Sequence, residues 1–255
     1  MINKIKAKVL KWTERPIKVP IKNDIPTERF GTPYGGWIIP KGILNDQSIC
    51  YGVGAGEDVS FDAAIAAHYG CKVHIFDPTP RAIAHVEALK NNIANNQKTG
   101  CLTSPTGYYA DFETEVADRL VLHPFGIWEE DTTLRFYTPQ NETHVSHSIV
   151  NLQKSDHFIE VPVKSLSSVI QSLGHDQITL LKIDIEGAEY QVLDAMLREQ
   201  VMVQILCIEY DENASNNLDS KYLGRIEQSL MSLIAAGYDV IAKEPDCHNY
   251  TLKKQ

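Results

Sequence analysis

No apolar run in this chain approaches the ~20 residues that a membrane-spanning helix requires, and the N-terminus alternates lysines with apolar residues instead of building a signal peptide. Basic residues are in deficit. Lys and Arg number 24 against 33 Asp and Glu, a formal net charge of −9. That balance argues against a nucleic-acid partner, because holding the phosphate backbone calls for a basic face. The five cysteines, Cys50, Cys71, Cys101, Cys207 and Cys247, are odd in number and form no C-x-x-C. A disulfide framework and a zinc site are both disfavoured, and the expectation is reduced, mostly buried thiols in a cytoplasmic protein. The dinucleotide fingerprint G-x-G-x-x-G is missing too. Counted from Gly52 its third glycine would fall at Glu57, and counted from Gly54 at Val59, which disfavours a nicotinamide oxidoreductase. There is no internal repeat and no low-complexity tract. What is left is a 255-residue chain, 43% hydrophobic, enough to bury a full core in one large α/β domain.

The chain is organised around Ser48–Asp77, SICYGVGAGEDVSFDAAIAAHYGCKVHIFD. A short apolar run, Ile49 to Val53, leads into three alternate glycines, Gly52, Gly54 and Gly56. A helical pattern (Val59, Ala63, Ile65, Ala66, Tyr69) is closed by Gly70, and a second apolar run, Val73 to Phe76, ends on Asp77. This is strand, glycine turn, helix, strand, acid. Glycines admit a ligand close to the backbone, the following helix aims free N–H groups at it, and an acid about 20 residues on accepts hydrogen bonds from ribose hydroxyls. Glu57 and Asp58 follow the glycines directly. They would repel a pyrophosphate and suit a cationic ligand. For Asp77 the plainer alternative is a turn or helix-capping acid before Pro78.

Along the rest of the chain, residues 1–13 pattern as a short basic amphipathic helix, able to lie on an anionic membrane surface or pack on the domain. Residues 14–36, with Pro16, Pro20, Pro26 and Pro33, read as an extended irregular arm. The expected division is therefore 1–40 for the N-terminal helix and arm and 41–255 for the domain. Tyr34 and Trp37, beside glycines, either fold over a ligand or cap the core. Thr79 and Pro80 open a helix with Ile83, Val86, Leu89 and Ile93 on its buried stripe. VLHPFGIW (121–128) reads as a third strand, with 132–139 paired to it. VPVKSLSSVIQSL (161–173) reads as a short strand and helix. ITLLKIDIEGAEYQVLDAM (178–196) repeats the strand–acid–glycine–helix unit, and QILCIEYDE (204–212) is another buried strand ending in acids. A helix from Tyr222 precedes two antiparallel strands, 239–244 and 249–254. Strands alternating with helices imply a doubly wound, largely parallel sheet.

The residues Gly52–Gly56 resemble motif I of the class I S-adenosylmethionine (SAM) methyltransferases. More specifically, Leu181, Lys182, Ile183, Asp184, Ile185, Glu186, Gly187, Ala188 and Glu189 resemble the signature of the FkbM methyltransferase family. The lead-in EVPVKSLSSVI and the strand CIEYD at 207–211 are similar to that family's flanking blocks, so the resemblance covers roughly residues 45–243. It implies a Rossmann-like class I methyltransferase fold, with a roughly seven-stranded, mostly parallel sheet, an antiparallel last strand and helices on both faces. It also implies SAM as cofactor and methyl transfer to a hydroxyl oxygen, often of a sugar or polyketide. The chain departs from the pattern at motif I. The family's aspartate at the end of the first strand falls here on Cys50 or Gly52, so its contact to the cofactor's methionine end comes from elsewhere, with Glu57 or Asp58 the nearest candidate.

On this reading the cofactor-binding candidates are Gly52, Gly54, Gly56, Glu57, Asp58 and Asp77, with Phe125, Gly126 and Ile127 lining the adenine. Acceptor-side candidates are Tyr34, Trp37, His144, Ser148 and Glu209. A sugar hydroxyl needs a base. Asp184 ranks first, His147 second and Glu186 third, and the plainer role for Asp184 is to accept backbone hydrogen bonds at the next helix. Lys182 is read as a structural partner for an acid, and Glu189 as capping or pairing within the first turn of the next helix. Asp184 with Glu209 forms a weak candidate for a divalent cation. The expected substrate is a small molecule or glycan and not nucleic acid. A non-catalytic SAM- or nucleotide-binding regulatory module is the alternative that the altered motif I keeps open.

Overall fold

A computed structural model of the chain describes residues 17–97, 112–137, 158–185, 187–212, 221–245 and 247–255. The expected helix at 1–13, the segment carrying His144, His147 and Ser148, and Glu186 lie outside the described residues.

Five apolar runs form the centre of the molecule. β3 (Ile49–Val53), β4 (Lys72–Phe76), β5 (Leu120–His123), β9 (Ile178–Ile183) and β10 (Val203–Glu209) are all parallel, in the order β10-β9-β3-β4-β5. β12 (Asn249–Lys254) adds antiparallel to β10, and β11 (Tyr238–Lys243) pairs antiparallel to β12 at the edge. This seven-stranded sheet, with one strand reversed next to its edge, is the class I methyltransferase topology. Parallel strands must be covered on both faces, and alternation does the sorting. Cys50, Val73, Ile75, Leu180, Ile205 and Cys207 face α1 (Ser60–Tyr69) and α2 (Pro80–Ala94) in one core. Tyr51, Val53, Phe76, Leu181, Ile183, Leu206 and Ile208 sit in a second core with the helices Leu166–Leu173, Glu189–Arg198 and Tyr222–Ala235.

Three local expectations need correction. The run 121–128 is not one strand. It breaks at Pro124, which has no N–H to give a ladder. Its first half is β5, and Gly126–Ile127 is a separate strand, β6, paired with β8 (Phe158–Lys164). β7 (Thr132–Tyr137) pairs antiparallel with β8 and not with 120–123, so the three make a side sheet, β6-β8-β7. The arm is not irregular throughout, because β1 (Thr27–Phe30) and β2 (Trp37–Pro40) form an antiparallel pair. Trp37 and Ile39 are buried in the α1/α2 core. Ahead of this pair, Ile21 bridges Val240 and Lys22 ion-pairs with Asp239 at 2.7 Å, covering the edge strand β11.

The glycine turn after β3 is set by close packing. A Cβ on Gly54 (φ +85°) would stand 1.8 Å from the Asp184 carbonyl oxygen, whereas one on Gly56 (φ +51°) would meet nothing within 4 Å. Gly54→Ala is therefore expected to destabilise the protein by about 3 kcal/mol or more, through collision and left-handed strain together. Gly56→Ala should cost only about 1 kcal/mol, from conformation alone. Denaturant unfolding of both variants checks the ordering.

Candidate functional site

Past the carboxyl ends of β3, β4, β5 and β9, backbone hydrogen bonds knit these strands together. The Gly54 N–H donates to Phe76 O, that of Asp77 to His123 O, and that of Asp184 to Val53 O. In an open α/β sheet this is where a ligand sits.

Asp77 stands at the end of β4 with its carboxylate almost fully buried. Oδ2 accepts the amides of Ala55 (2.9 Å) and Gly56 (3.2 Å), and Oδ1 accepts the Thr79 amide (2.8 Å) and hydroxyl (2.6 Å). Four donors fill the sites a carboxylate offers. Asp77 thus fastens the glycine turn to the start of α2, the turn-acid role read beside the ribose role. Any ribose hydroxyl arriving here would take over some of these bonds. Thr79 is the N-cap residue of α2 with Pro80 following, as expected, but its side chain bonds Asp77 and does not cap the helix.

The two acids after the glycines are already engaged. Glu57 accepts from two of the three Arg81 guanidinium nitrogens, Nε at 3.2 Å and Nη2 at 2.9 Å. Asp58 accepts the Thr32 hydroxyl at 2.7 Å on Oδ2 and the Ser60 amide at 2.9 Å on Oδ1. These contacts with Arg81, Thr32 and Ser60 tie the turn to α2 and to the β1–β2 region.

Lys182 lies beneath the turn. It is 2% exposed, sits beside Gly52 in the sheet register, and its Nζ donates to Gly54 O at 2.7 Å while lying 3.3 Å from Asp184 Oδ2. Burial works against its charge, but Asp184 and Asp62 outweigh burial and hold its pKa above the ordinary lysine value. The structural partnership expected for Lys182 is thus with Asp184. Next to them, burial and then the Asp184 carboxylate push Glu209 up to about 7, while Lys182 and a hydrogen bond from Asn249 Nδ2 (3.2 Å) pull it down. Glu189 accepts the amide of Gly187, ahead of the N-cap residue Ala188, at 3.0 Å, a bond that lies outside its own helix and does not cap it, and burial pushes it up to about 8. Its second oxygen has no partner among the described residues, consistent with a protonated acid.

Of the other candidates, Trp37 is a core residue, and Tyr34 is 75% exposed. Phe125 is half-buried, 5.5 Å from the Phe76 ring, with Lys164 Nζ 5.0 Å over it. Gly126 and Ile127 are buried in the side sheet. Among the described residues no group of three or more His, Cys, Asp or Glu is arranged to hold a metal ion. Sequence reading passed over two features. One is a ring cluster of Tyr51, His74, His123 and His175, in which Tyr51 OH lies 2.7 Å from His175 Nδ1 and burial drives His74 down to about 4. The other is Asp62, a buried acid on α1 whose position in the helix's first turn looks ordinary in sequence.

The site's composition fits SAM. The turn has open space at Gly56, a carboxylate (Asp77) at the end of β4 and, among the described residues, an excess of acids over the one buried lysine, conditions that suit a nucleoside bearing a sulfonium and an ammonium group. The sequence matches the family described as methyltransferase FkbM domain over residues 50–240. It is 25% identical over 163 residues to the probable methyltransferase-like protein 24 of Homo sapiens, covering 64% of this chain and 32% of that protein. The Rattus norvegicus counterpart is 24% identical over the same length. The chain thus spans about a third of the length of these curated relatives. Among solved structures it is similar to an rRNA methylase from Streptococcus thermophilus (12% identity, TM-score 0.41, covering 84% of this chain and 90% of that one). It is also similar to the Methanococcus jannaschii fibrillarin pre-rRNA processing protein (12%, 0.41, 83% and 68%). Those structural scores are too low to support an inference about this chain. With the family match spanning most of the chain and the sheet order described above, the chain belongs to the methyltransferase FkbM domain family.

Proposed function

We propose that this domain binds SAM at the glycine turn and transfers its methyl group to a hydroxyl oxygen of an uncharged, polyhydroxylated acceptor, a sugar, glycan or glycosylated metabolite. SAM supplies an electrophilic methyl group. The chain's task is then to hold the acceptor hydroxyl in line and remove its proton. The observation that carries the reading is the pair of acids at the ends of β9 and β10. Asp184 is held by Lys182 at 3.3 Å, and Glu209 is pushed up to about 7. An acid titrating near neutrality, beside a second carboxylate, is well matched to accepting a proton from an alcohol. Asp184, the first-ranked base from sequence, and Glu209, first read as an acceptor-side residue, together form the proton-accepting pair. His147 and Glu186 remain candidates on sequence alone. The acidic balance, −9 overall, disfavours a phosphate-rich acceptor. The two RNA-processing proteins of similar structure do not alter this, because their likeness is too slight. A cation held by Asp184 and Glu209 is not needed for this chemistry. Membrane contact by residues 1–13 rests on the sequence pattern alone.

Two outcomes test the reading. With methyl-labelled SAM, label should pass to neutral glycans and not to RNA. Asp184→Asn and Glu209→Gln should each lower turnover by roughly 10²–10⁴-fold while SAM affinity stays near wild type. Transfer to RNA, or full turnover in both variants, contradicts it. The pH dependence has a definite sign. Below about 7 Glu209 carries a proton and takes none, so kcat should rise with pH through that value, and Glu209→Gln should flatten the rise.

A further inference from the structure

Gly52 is buried in the last turn-ward part of β3, and an added Cβ there would lie 2.1 Å from Asp62 Oδ1. The space that a side chain at position 52 would enter is thus filled by a carboxylate reaching down from α1. Asp62 is itself 2% exposed. It lies on the sheet face that Lys182 also occupies, since Gly52 and Lys182 are register partners on adjacent strands. Electrostatically, Lys182 stabilises its charge, while Asp58 and Asp184 oppose it, and burial raises it to about 6.

The place matters because of what the neighbouring acids are doing. β3 ends without an acid of its own. Glu57 is occupied by Arg81, and Asp58 by Thr32 and Ser60. Asp184 is held against Lys182. Asp62 is the acid whose carboxylate reaches the strand end immediately before the Gly54–Gly56 turn. We propose that Asp62 supplies, from helix α1, the negative charge that receives the ammonium of the cofactor's amino-acid end, in the position that a side chain on residue 52 would otherwise fill. The inference rests on the SAM reading above. Gly52 and Asp62 then form one unit, because the glycine is required for the helix carboxylate to reach the sheet. A charge in this shielded place acts on a neighbouring cation with little screening.

The test uses the full chain, titrated calorimetrically with S-adenosylhomocysteine and with 5′-methylthioadenosine, which keeps the nucleoside and lacks the amino-acid end. Asp62→Asn should weaken S-adenosylhomocysteine binding by about tenfold or more and leave methylthioadenosine binding within about twofold. The exchange variant Gly52→Asp/Asp62→Gly returns a carboxylate to the same space from the strand, and should recover S-adenosylhomocysteine affinity to within about threefold of wild type. Equal losses for both ligands, or no loss for either, would show that Asp62 is only a packing residue and would overturn the proposal. Should Asp62→Asn fail to fold, the exchange variant decides alone: binding methylthioadenosine but not S-adenosylhomocysteine overturns it. If the wild-type chain binds neither nucleoside, it is the SAM reading that has failed, and this assignment falls with it.

Discussion

The buried ammonium of Lys182 is the contact on which the site depends. An ion of this kind costs several kcal/mol to desolvate, and is tolerated only when its donors are met and opposite charge is at hand. Both conditions are satisfied by the parts that make the site: the Gly54 carbonyl at 2.7 Å and the Asp184 carboxylate at 3.3 Å. One cation thereby joins the ends of β3 and β9, the two central strands of the sheet. The Gly54 backbone packs so closely on the Asp184 carbonyl that no side chain fits between them. Charge and sterics fix the same geometry.

A second consequence is the surplus of acid around that lysine. Asp62, Asp184 and Glu209 all act on its charge, and Asp62 and Glu209 are themselves pushed up to about 6 and 7, chiefly by burial. Such a site is costly to keep anionic without a cation, and SAM brings two cationic centres to it. For the proposed hydroxyl acceptor, the same acids give the departing proton somewhere to go. On the proposals above the acids divide the work, Asp62 facing the cofactor's amino-acid end and Asp184 with Glu209 taking the proton.

The central strands were legible because parallel strands buried on both faces read as continuous apolar runs. Ile49–Val53 shows that pattern, and the strand beginning at Ile178 shows it apart from Thr179 and Lys182. The side sheet was not legible, since Pro124 splits one apolar run between two sheets and pairing partners leave no mark in a single sequence. The hairpin at Thr27–Pro40 was hidden by strands of four residues set among prolines and glycines. At the site, Asp77 could be found by its place at a strand end, but not the four donors that already hold it. Asp62 was hidden for a different reason. An acid in the first turn of a helix ordinarily serves the helix dipole, and only its packing against Gly52 reveals that it serves the sheet.

The central claim is that the glycine turn, held from below by Lys182 and from the side by Asp77, is a nucleoside cradle. A crystal structure of the chain with S-adenosylhomocysteine tests it most directly. The account predicts the ribose beside Asp77, with its hydroxyls replacing some of the bonds now made to Ala55, Gly56 or Thr79, and the amino-acid end over Gly52 and Lys182. Nucleoside density away from the Gly54–Gly56 turn, with all four Asp77 bonds intact, would contradict it.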